Sequence, residues 1–435
     1  MPASVRKILA DRIDKRQQGV GMVAGILGPR RTRIVAHGSF SAIDPRPVDG
    51  DTVFEIASIT KVFTALLLAD IVLRGEVRLD QPVTELLPAT ASSPEWNGRK
   101  ITLIDLATHT SGLPRMPANF APKNEADPYV GYTEADLYAF LSSHELTRDV
   151  GAAFEYSNLG VALLGHALSK RAGLGYEALL RQRVLGPLSM DDTGIALTPT
   201  QIARLAPGHN AALQPAANWN LELFAGAGGL RSTANDMLKF LAAATGKTKT
   251  PLAPAFALML ATERQAFEKA QVGLGWMLLP RGDDRIAWHN GQTGGYRSFA
   301  GYLAGAGVGV VVLSNAATAT GVDDIGFHLL DQTLPLLPAP KPHVEAAVDP
   351  ATYKNFVGRY QIAPDFILTV TRRDNRLYVQ ATGQDDFEVF PESPAGFFYR
   401  VVDAQLTFEL SSPSGPARSV TLHQNGRNMP GQRLD

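Results

Sequence analysis

A serine and a lysine three residues apart open one of the most apolar segments of the chain. Ser58 and Lys61 lie in FEIASITKVFTALLLADIV, whose long apolar run predicts a buried helix over residues 60–74. Residues i and i+3 of a helix share a face, so the Lys61 amine can reach the Ser58 hydroxyl. A serine hydroxyl is a weak nucleophile until an adjacent base takes its proton. This spacing therefore predicts a nucleophile that has its own local base.

The same spacing recurs at Ser4 and Lys7, where it indicates only a helix on the surface. That copy lies in a basic, amphipathic stretch near the N-terminus, VRKILADRIDKR, which is typical of a solvated helix face. Ser58 differs because apolar residues surround it on both sides, and a buried lysine needs a partner or a chemical task. Ser58 is therefore the candidate nucleophile.

Two further groups of polar residues follow the serine along the chain. Tyr156 and Asn158 lie in FEYSNLGVALLGHALSKRAG, a loop leading into a helix that Gly173 can end. The second group lies between strand-like runs and consists of His289, Asn290 and Gly291. Phenol, amide and imidazole groups can donate, accept or transfer protons near an activated serine. The order of these motifs is therefore informative as well as their composition.

Ser-x-x-Lys, then Tyr-x-Asn, then a basic residue-x-Gly resembles the signature of the penicillin-binding-protein-like serine hydrolases. That superfamily includes class C β-lactamases, D-alanyl-D-alanine carboxypeptidases, D-aminopeptidases and the related family VIII esterases. Two more segments, LATHTSGLP and AGGLRSTANDMLKF, are similar to segments common to these proteins. The resemblance covers residues 10–335. It implies an α+β fold in which helices flank an antiparallel sheet.

The resemblance also implies a role for each polar residue. Ser58 would form an acyl-enzyme, with Lys61 or Tyr156 as the base, and the sequence leaves the choice between them open. The implied substrate-binding residues are Asn158, His289, Asn290 and Gly291. The implied oxyanion hole is formed by the backbone N–H groups of Ser58 and Gln292. A histidine stands where many relatives have lysine, so we expect less fixed positive charge beside a substrate carboxylate.

Periodicity in the sequence supports the same architecture for residues 1–335. Strand-like runs near the N-terminus, VGMVAGILG and RTRIVAHGSF, and four more after residue 270 flank a mainly helical middle. Strands from both ends of the chain around a helical insertion predict one antiparallel sheet with helices packed on it. The predicted helices cover residues 60–74, 102–109, 133–142, 158–171, 176–184, 233–244 and 321–332.

The last hundred residues have a different character. Residues 334–350 are rich in proline. This composition predicts a semi-rigid linker at 336–350, which separates a domain at 1–335 from a domain at 351–435. Beyond it, short runs alternate apolar and polar residues with turn signals between them, which predicts six to eight strands in a small barrel or sandwich. This segment resembles the lipocalin-like C-terminal domain of some members of the superfamily.

Composition restricts the partners and the compartment. A chain of 435 residues with a net charge of -1 favours two domains and gives no electrostatic argument for binding nucleic acid. No apolar run reaches the ~18–20 residues of a transmembrane helix. The N-terminus lacks the apolar core of a signal peptide, which predicts a cytoplasmic protein, or a periplasmic or secreted one if a leader was removed. Without cysteine or paired histidines, no metal or cofactor is expected.

Three functions remain open on the sequence. The leading hypothesis is a serine hydrolase that cleaves amide bonds in β-lactams or D-amino-acid peptides through an acyl-enzyme. A carboxylesterase of the same fold is the first alternative, and a penicillin-binding or sensor protein that acylates slowly is the second. Small molecules or peptides are the expected substrates, and the sequence leaves the oligomeric state and the role of the barrel undetermined.

Overall fold

The chain forms two compact units, Met1–Leu337 and Pro338–Asp435. The computed structural model describes residues 2–267, 270–303, 305–339, 343–363, 366–382, 386–400, 404–412, 414–424 and 427–434. The predicted linker at 336–350 includes residues 340–342, which lie outside the described residues. Every residue of the candidate site belongs to the first unit.

The antiparallel sheet that the sequence predicts forms the centre of the first unit, and it has eight strands where six strand-like runs were predicted. Its strands lie in the order Thr32–Gly38, Gly21–Leu27, Val308–Ser314, Arg297–Leu303, Asp284–Gln292, Met277–Arg281, Gln271–Val272 and Arg264–Gln265. The N-terminal hairpin pairs with the last strand of the unit, so that Met22 lies opposite Ser314. Both ends of the domain therefore close one sheet around the helical insertion.

Both faces of this sheet are covered by helices. Val23 and Leu313 face the helical insertion, whereas Met22 and Val312 belong to a second core. The helices of the first unit are Pro2–Ala10, Thr60–Leu73, Leu103–Ala107, Glu134–Ser143, Asn158–Ala172, Tyr176–Leu180, Pro199–Ile202, Ala225–Gly228, Ala234–Ala244, Ala253–Ala261 and Asp323–Leu330. Burial on both faces explains why strand Gly21–Leu27 is apolar throughout rather than alternating.

Most helix ends fall within two residues of their predicted positions, and two predictions were too long. The helix predicted at 102–109 covers only Leu103–Ala107, because His109 adopts a left-handed φ of 57°. The segment predicted at 176–184 is an α-helix only over Tyr176–Leu180 and continues as a π-helical turn.

Helix Thr60–Leu73 runs through the middle of the first unit. Its sequence, TKVFTALLLADIVL, has no polar face, and all its residues from Thr60 to Ile71 are buried. A helix that is apolar all round is stable only inside a core, so its N-terminal residues are held rigidly by packing. None of the helices in the described ranges is long and apolar enough to cross a membrane.

The second unit is a closed barrel of eight antiparallel strands, each paired with the next in sequence. They are Gly358–Ala363, Phe366–Arg373, Arg376–Ala381, Asp386–Ser393, Gly396–Tyr399, Ala404–Leu410, Ala417–Gln424 and Arg427–Arg433. The first strand pairs with the last, which leaves no open edge. Buried aromatic residues such as Tyr360, Phe397 and Phe408 form its core.

Candidate active site

Ser58 lies in a tight turn between a strand and the central helix. Strand Val53–Glu55 is followed by a 3₁₀ turn, Ala57–Ile59, which leads into the helix at Thr60, and Ala57 adopts a left-handed φ of 47°. The Thr60 hydroxyl donates to Ala57 O at 2.7 Å and accepts from Leu230 N at 3.1 Å. A left-handed non-glycine residue persists only where the surroundings fix it. This turn therefore holds Ser58 at the surface of the core.

Lys61 is buried beside Ser58, with only 1% of its surface exposed. Its Nζ lies 3.0 Å from Ser58 Oγ and donates to Ala227 O at 2.6 Å. Burial, with a smaller contribution from the positive charge of Arg115, holds the pKa of Lys61 well below its ordinary value. A neutral amine at this distance can accept the proton of the serine hydroxyl.

Tyr156 lies against Lys61 because the next residue caps a helix. The Ser157 hydroxyl accepts from Gly160 N at 2.8 Å and donates to Pro114 O at 2.7 Å, which fixes the start of helix Asn158–Ala172. Lys61 Nζ lies 5.0 Å from the centre of the Tyr156 ring. Burial raises the pKa of Tyr156 to about 12, although a hydrogen bond with Ser58 and the charge of Arg115 act in the opposite direction.

Asn158 begins the helix and lines the same cavity as Ser58. Its backbone N–H donates to Arg115 O at 3.0 Å, and its side-chain amide lies 3.7 Å from the sulfur of Met116. The structure thus brings Asn158 to the site, with its amide directed toward Met116. The predicted bridge from Lys61 to a substrate remains a prediction.

Two residues of the site, His109 and Arg115, were not predicted from the sequence. His109 lies in LATHTSGLP, one of the segments that resemble those of the superfamily. The His109 ring stacks on the Tyr156 ring at 4.5 Å, and its Nδ1 accepts from Ser157 N at 3.1 Å. The Arg115 guanidinium lies 5.1 Å from the centre of the Tyr156 ring. The segment THTSGLPR carries both residues, and its density of small and polar side chains was the available signal.

His289 lies on the strand beside this cluster and is neutral. Its ring centre is 6.1 Å from that of Tyr156, and only 2% of the residue is exposed. Burial and the charge of Lys61 lower the pKa of His289 to about 3. Nδ1 lies 2.6 Å from Asn290 O, and since a carbonyl only accepts, this nitrogen carries the proton.

Asn290 directs its side chain away from Ser58. Its amide donates to Asp323 at 2.5 Å, on the face of the strand that packs against helix Asp323–Leu330. Successive residues of a strand point to opposite faces, so His289 and Gly291 cannot share a face with the residue between them. A substrate-binding role for the Asn290 side chain is therefore the site prediction that the geometry supports least.

Gly291 lets the strand approach the turn that carries Ser58. A Cβ atom there would lie 2.3 Å from Ile56 O and 2.4 Å from the Ser298 hydroxyl. Beside it is a cavity of about 280 Å³, lined by Ala57, Ser58, Arg115, Met116, Tyr129, Asn158, Trp219, Leu221, Phe224, Ala227, Gly228, Gln292 and Thr293. The two residues of the predicted oxyanion hole, Ser58 and Gln292, thus line one cavity.

Gly291→Ala is expected to slow acylation by roughly 10²-fold, because a displacement of about 1 Å at a reacting group has effects of this size. The added methyl group would lie 2.3 Å from the backbone oxygen of Ile56 as well as 2.4 Å from the Ser298 hydroxyl. Because the backbone oxygen cannot rotate away as a side chain can, the strand must shift away from Ser58. Stopped-flow ester hydrolysis measures the rate. Gly175→Ala is the control, because a Cβ atom there has nothing within 4 Å. Acylation of Gly291→Ala at the wild-type rate would contradict this packing argument.

These residues can perform acyl transfer. A serine hydroxyl, a buried amine with a lowered pKa and a phenol lie together at the edge of a cavity, and the strand alongside can supply N–H donors. Within the described ranges, no group of three or more histidine, aspartate or glutamate side chains is placed to hold a metal ion.

The Beta-lactamase family profile matches residues 6–334, and a domain of unknown function, DUF3471, matches residues 342–433. The chain is 35% identical over 191 residues to the D-alanyl-D-alanine-carboxypeptidase/endopeptidase AmpH of Escherichia coli K12, covering 44% of this chain and 48% of that one. The chain thus spans about half the length of that relative. Penicillin-binding protein 4* of Bacillus subtilis is 25% identical over 421 residues, with 90% and 91% covered.

Solved structures share the fold of the first unit. A β-lactamase/D-alanine carboxypeptidase from Yersinia pestis, complexed with citrate, superimposes with a TM-score of 0.66 at 24% identity, covering 78% of this chain and 99% of that one. A class C β-lactamase superimposes with a TM-score of 0.68 at 20% identity, covering 78% and 97%. With the profile match over most of the sequence, the chain belongs to the Beta-lactamase family of penicillin-binding-protein-like serine hydrolases.

Proposed function

We propose that this protein hydrolyses amide bonds in β-lactams or D-amino-acid peptides through an acyl-enzyme at Ser58. The observation that carries the proposal is the 3.0 Å separation of Lys61 Nζ and Ser58 Oγ in a buried setting. Family membership supports the reaction class, and relatives named as carboxypeptidases and β-lactamases support the choice of substrates.

Acylation would begin with transfer of the Ser58 proton to Lys61. Burial lowers the pKa of Lys61, and this shift favours the neutral amine, whose electron pair can accept the proton. The bond between Ser58 Oγ and the substrate carbonyl carbon forms as the proton leaves. The N–H groups of Ser58 and Gln292 would stabilise the oxyanion.

Tyr156 would act as the acid for the leaving group. Its pKa of about 12 keeps the phenol protonated, so it can donate to the amine nitrogen as the carbon–nitrogen bond breaks. Protonated Lys61 then returns a proton to Tyr156, which restores both groups. In deacylation a water molecule attacks the ester carbonyl and its proton returns to Ser58 by the same groups in reverse.

A carboxylesterase is the second candidate, and the state of His289 favours it. A neutral histidine and an Asn290 side chain bonded to Asp323 leave the strand with little means to bind a substrate carboxylate. Neutral esters do not need that contact. The same Ser58 chemistry would serve them.

Intact-protein mass spectrometry over time separates these functions. The protein is mixed with benzylpenicillin, a cephalosporin, a D-alanyl-D-alanine peptide or p-nitrophenyl acetate, and products are followed in parallel. We expect a short-lived adduct with the β-lactams, or D-alanine release from the peptide. Ester turnover without either would favour the esterase, and a β-lactam adduct that persists for hours would favour a slow penicillin-binding protein. A lack of both adduct and turnover with all of the substrates would contradict the proposal.

A further inference from the structure

We propose that Arg115 binds a negatively charged group on the acyl part of the substrate, and so selects acidic acyl groups. This inference rests on the proposed acyl-enzyme at Ser58. Arg115 lines the cavity that Ser58 opens into, and among the described residues of that lining it is the one charged side chain.

The other basic side chains of the site are poor anion binders. His289, at the strand position where many relatives have lysine, is buried and neutral because its pKa is about 3. Lys61 is buried, and its Nζ already contacts Ser58 and Ala227. Where many relatives have a lysine on the strand, the fixed positive charge available to a substrate in this protein is therefore that of Arg115.

Arg115 is held in position by its backbone, and its side chain is exposed. Its carbonyl accepts from Asn158 N at 3.0 Å and from Leu159 N at 3.2 Å, which fixes the residue to the start of a helix. In the part of the chain that the structure describes, no carboxylate pairs with its side chain, which is exposed and lies over the Tyr156 ring. An arginine with no carboxylate partner at the mouth of a cavity can bind a carboxylate with two parallel hydrogen bonds.

The acyl group is the part of the substrate that must lie within this reach. It stays bonded to Ser58 until deacylation, whereas the leaving group departs, so the cavity lined by Ser58 has to hold it. Aromatic side chains form part of the cavity wall: the ring of Tyr129 lies 5.5 Å from that of Trp219 and 5.2 Å from that of Phe224. The fitting substrate has a short hydrocarbon chain against these rings and an anionic end at Arg115.

Two esters that differ only at the end of the acyl chain test the inference. p-Nitrophenyl hydrogen adipate ends in a carboxylate, and its isostere ends in a neutral amide. The ratio of their kcat/KM values cancels any effect that Arg115 has on Lys61, because both esters use the same base. We expect the wild type to favour the carboxylate ester, and Arg115→Gln to lower the ratio by about 10- to 100-fold, the range for a charge-assisted hydrogen bond.

Further variants separate charge from position. Arg115→Lys should keep part of the preference, and Arg171→Gln, an exposed change at the other end of helix Asn158–Ala172, should leave the ratio unchanged. Added salt should lower the wild-type ratio, since an exposed contact is screened. An unchanged ratio in Arg115→Gln would overturn the inference, even though Ser58 still acylates. Failure of both esters to label Ser58 would instead contradict the proposed function.

Discussion

Replacing Ser58 with alanine is expected to remove covalent labelling and to lower turnover of every substrate by roughly 10³-fold or more, since the remaining groups provide only residual catalysis. Ser58 Oγ is the nucleophile that Lys61 contacts at 3.0 Å, and alanine keeps the packing of the turn while removing that oxygen. The measurement is peptide mapping after reaction with a fluorophosphonate or a β-lactam, combined with steady-state rates.

The second Ser-x-x-Lys sequence provides the matched control. Ser4 and Lys7 lie on the N-terminal helix and both are exposed, so neither shares the burial that lowers the pKa of Lys61. Ser4→Ala should acylate and turn over as the wild type does. Label on Ser4, or on any serine that remains after Ser58→Ala, would exclude Ser58 as the nucleophile.

Lys61→Arg is expected to lower kcat by roughly 10²–10⁴-fold, the range for a general base. Arginine keeps the positive charge but cannot lose its proton at any working pH, so it separates the role of base from that of a fixed charge. If Lys61 served only as a charge, Lys61→Arg would retain most of the activity. Tyr156→Phe is the companion variant, because it removes the phenol and leaves the amine in place.

The pH profile gives an independent test of the base. Since Lys61 must be unprotonated to act, kcat/KM should be at its maximum above the lowered pKa of Lys61 and fall as the pH drops through it. Arg115→Gln should move this acid limb to higher pH, because the charge of Arg115 contributes to the lowered value. If Tyr156 were the base, activity would instead keep rising toward its pKa of about 12.

The thermal stability of Lys61→Met distinguishes a loss of the catalytic base from misfolding. In the wild type the pKa of Lys61 is lower in the folded chain than in the unfolded chain, so the unfolded chain binds a proton more readily, and this difference favours unfolding below the ordinary lysine pKa. Methionine of similar length removes that difference, so we expect Lys61→Met to unfold at a higher temperature than the wild type. If Lys61→Met were inactive but more stable than the wild type, its loss of activity would result from the missing amine and not from misfolding.

The sequence alone determined the features that depend on neighbours along the chain. The Ser58–Lys61 contact follows from the geometry of one helical turn, and it was predicted from spacing. Helix ends were predicted from local capping residues: Thr133 caps helix Glu134–Ser143, and Gly173, with φ of 64°, ends helix Asn158–Ala172. The antiparallel sheet, and a second domain that is a small barrel or sandwich, were predicted from alternation and turn signals, which are local as well, and the structure shows a closed barrel.

Only the tertiary structure decided what surrounds the nucleophile. Tyr156 receives its stacking partner from His109 and its neighbouring charge from Arg115, which lie more than forty residues away in sequence. The side chain of Asn290 bonds to Asp323, a partner set by which face of the strand the last helix covers. The low pKa of Lys61 arises from burial by the whole core. Such contacts depend on how loops and helices pack against one another, and this packing cannot be predicted from the spacing of residues along the chain.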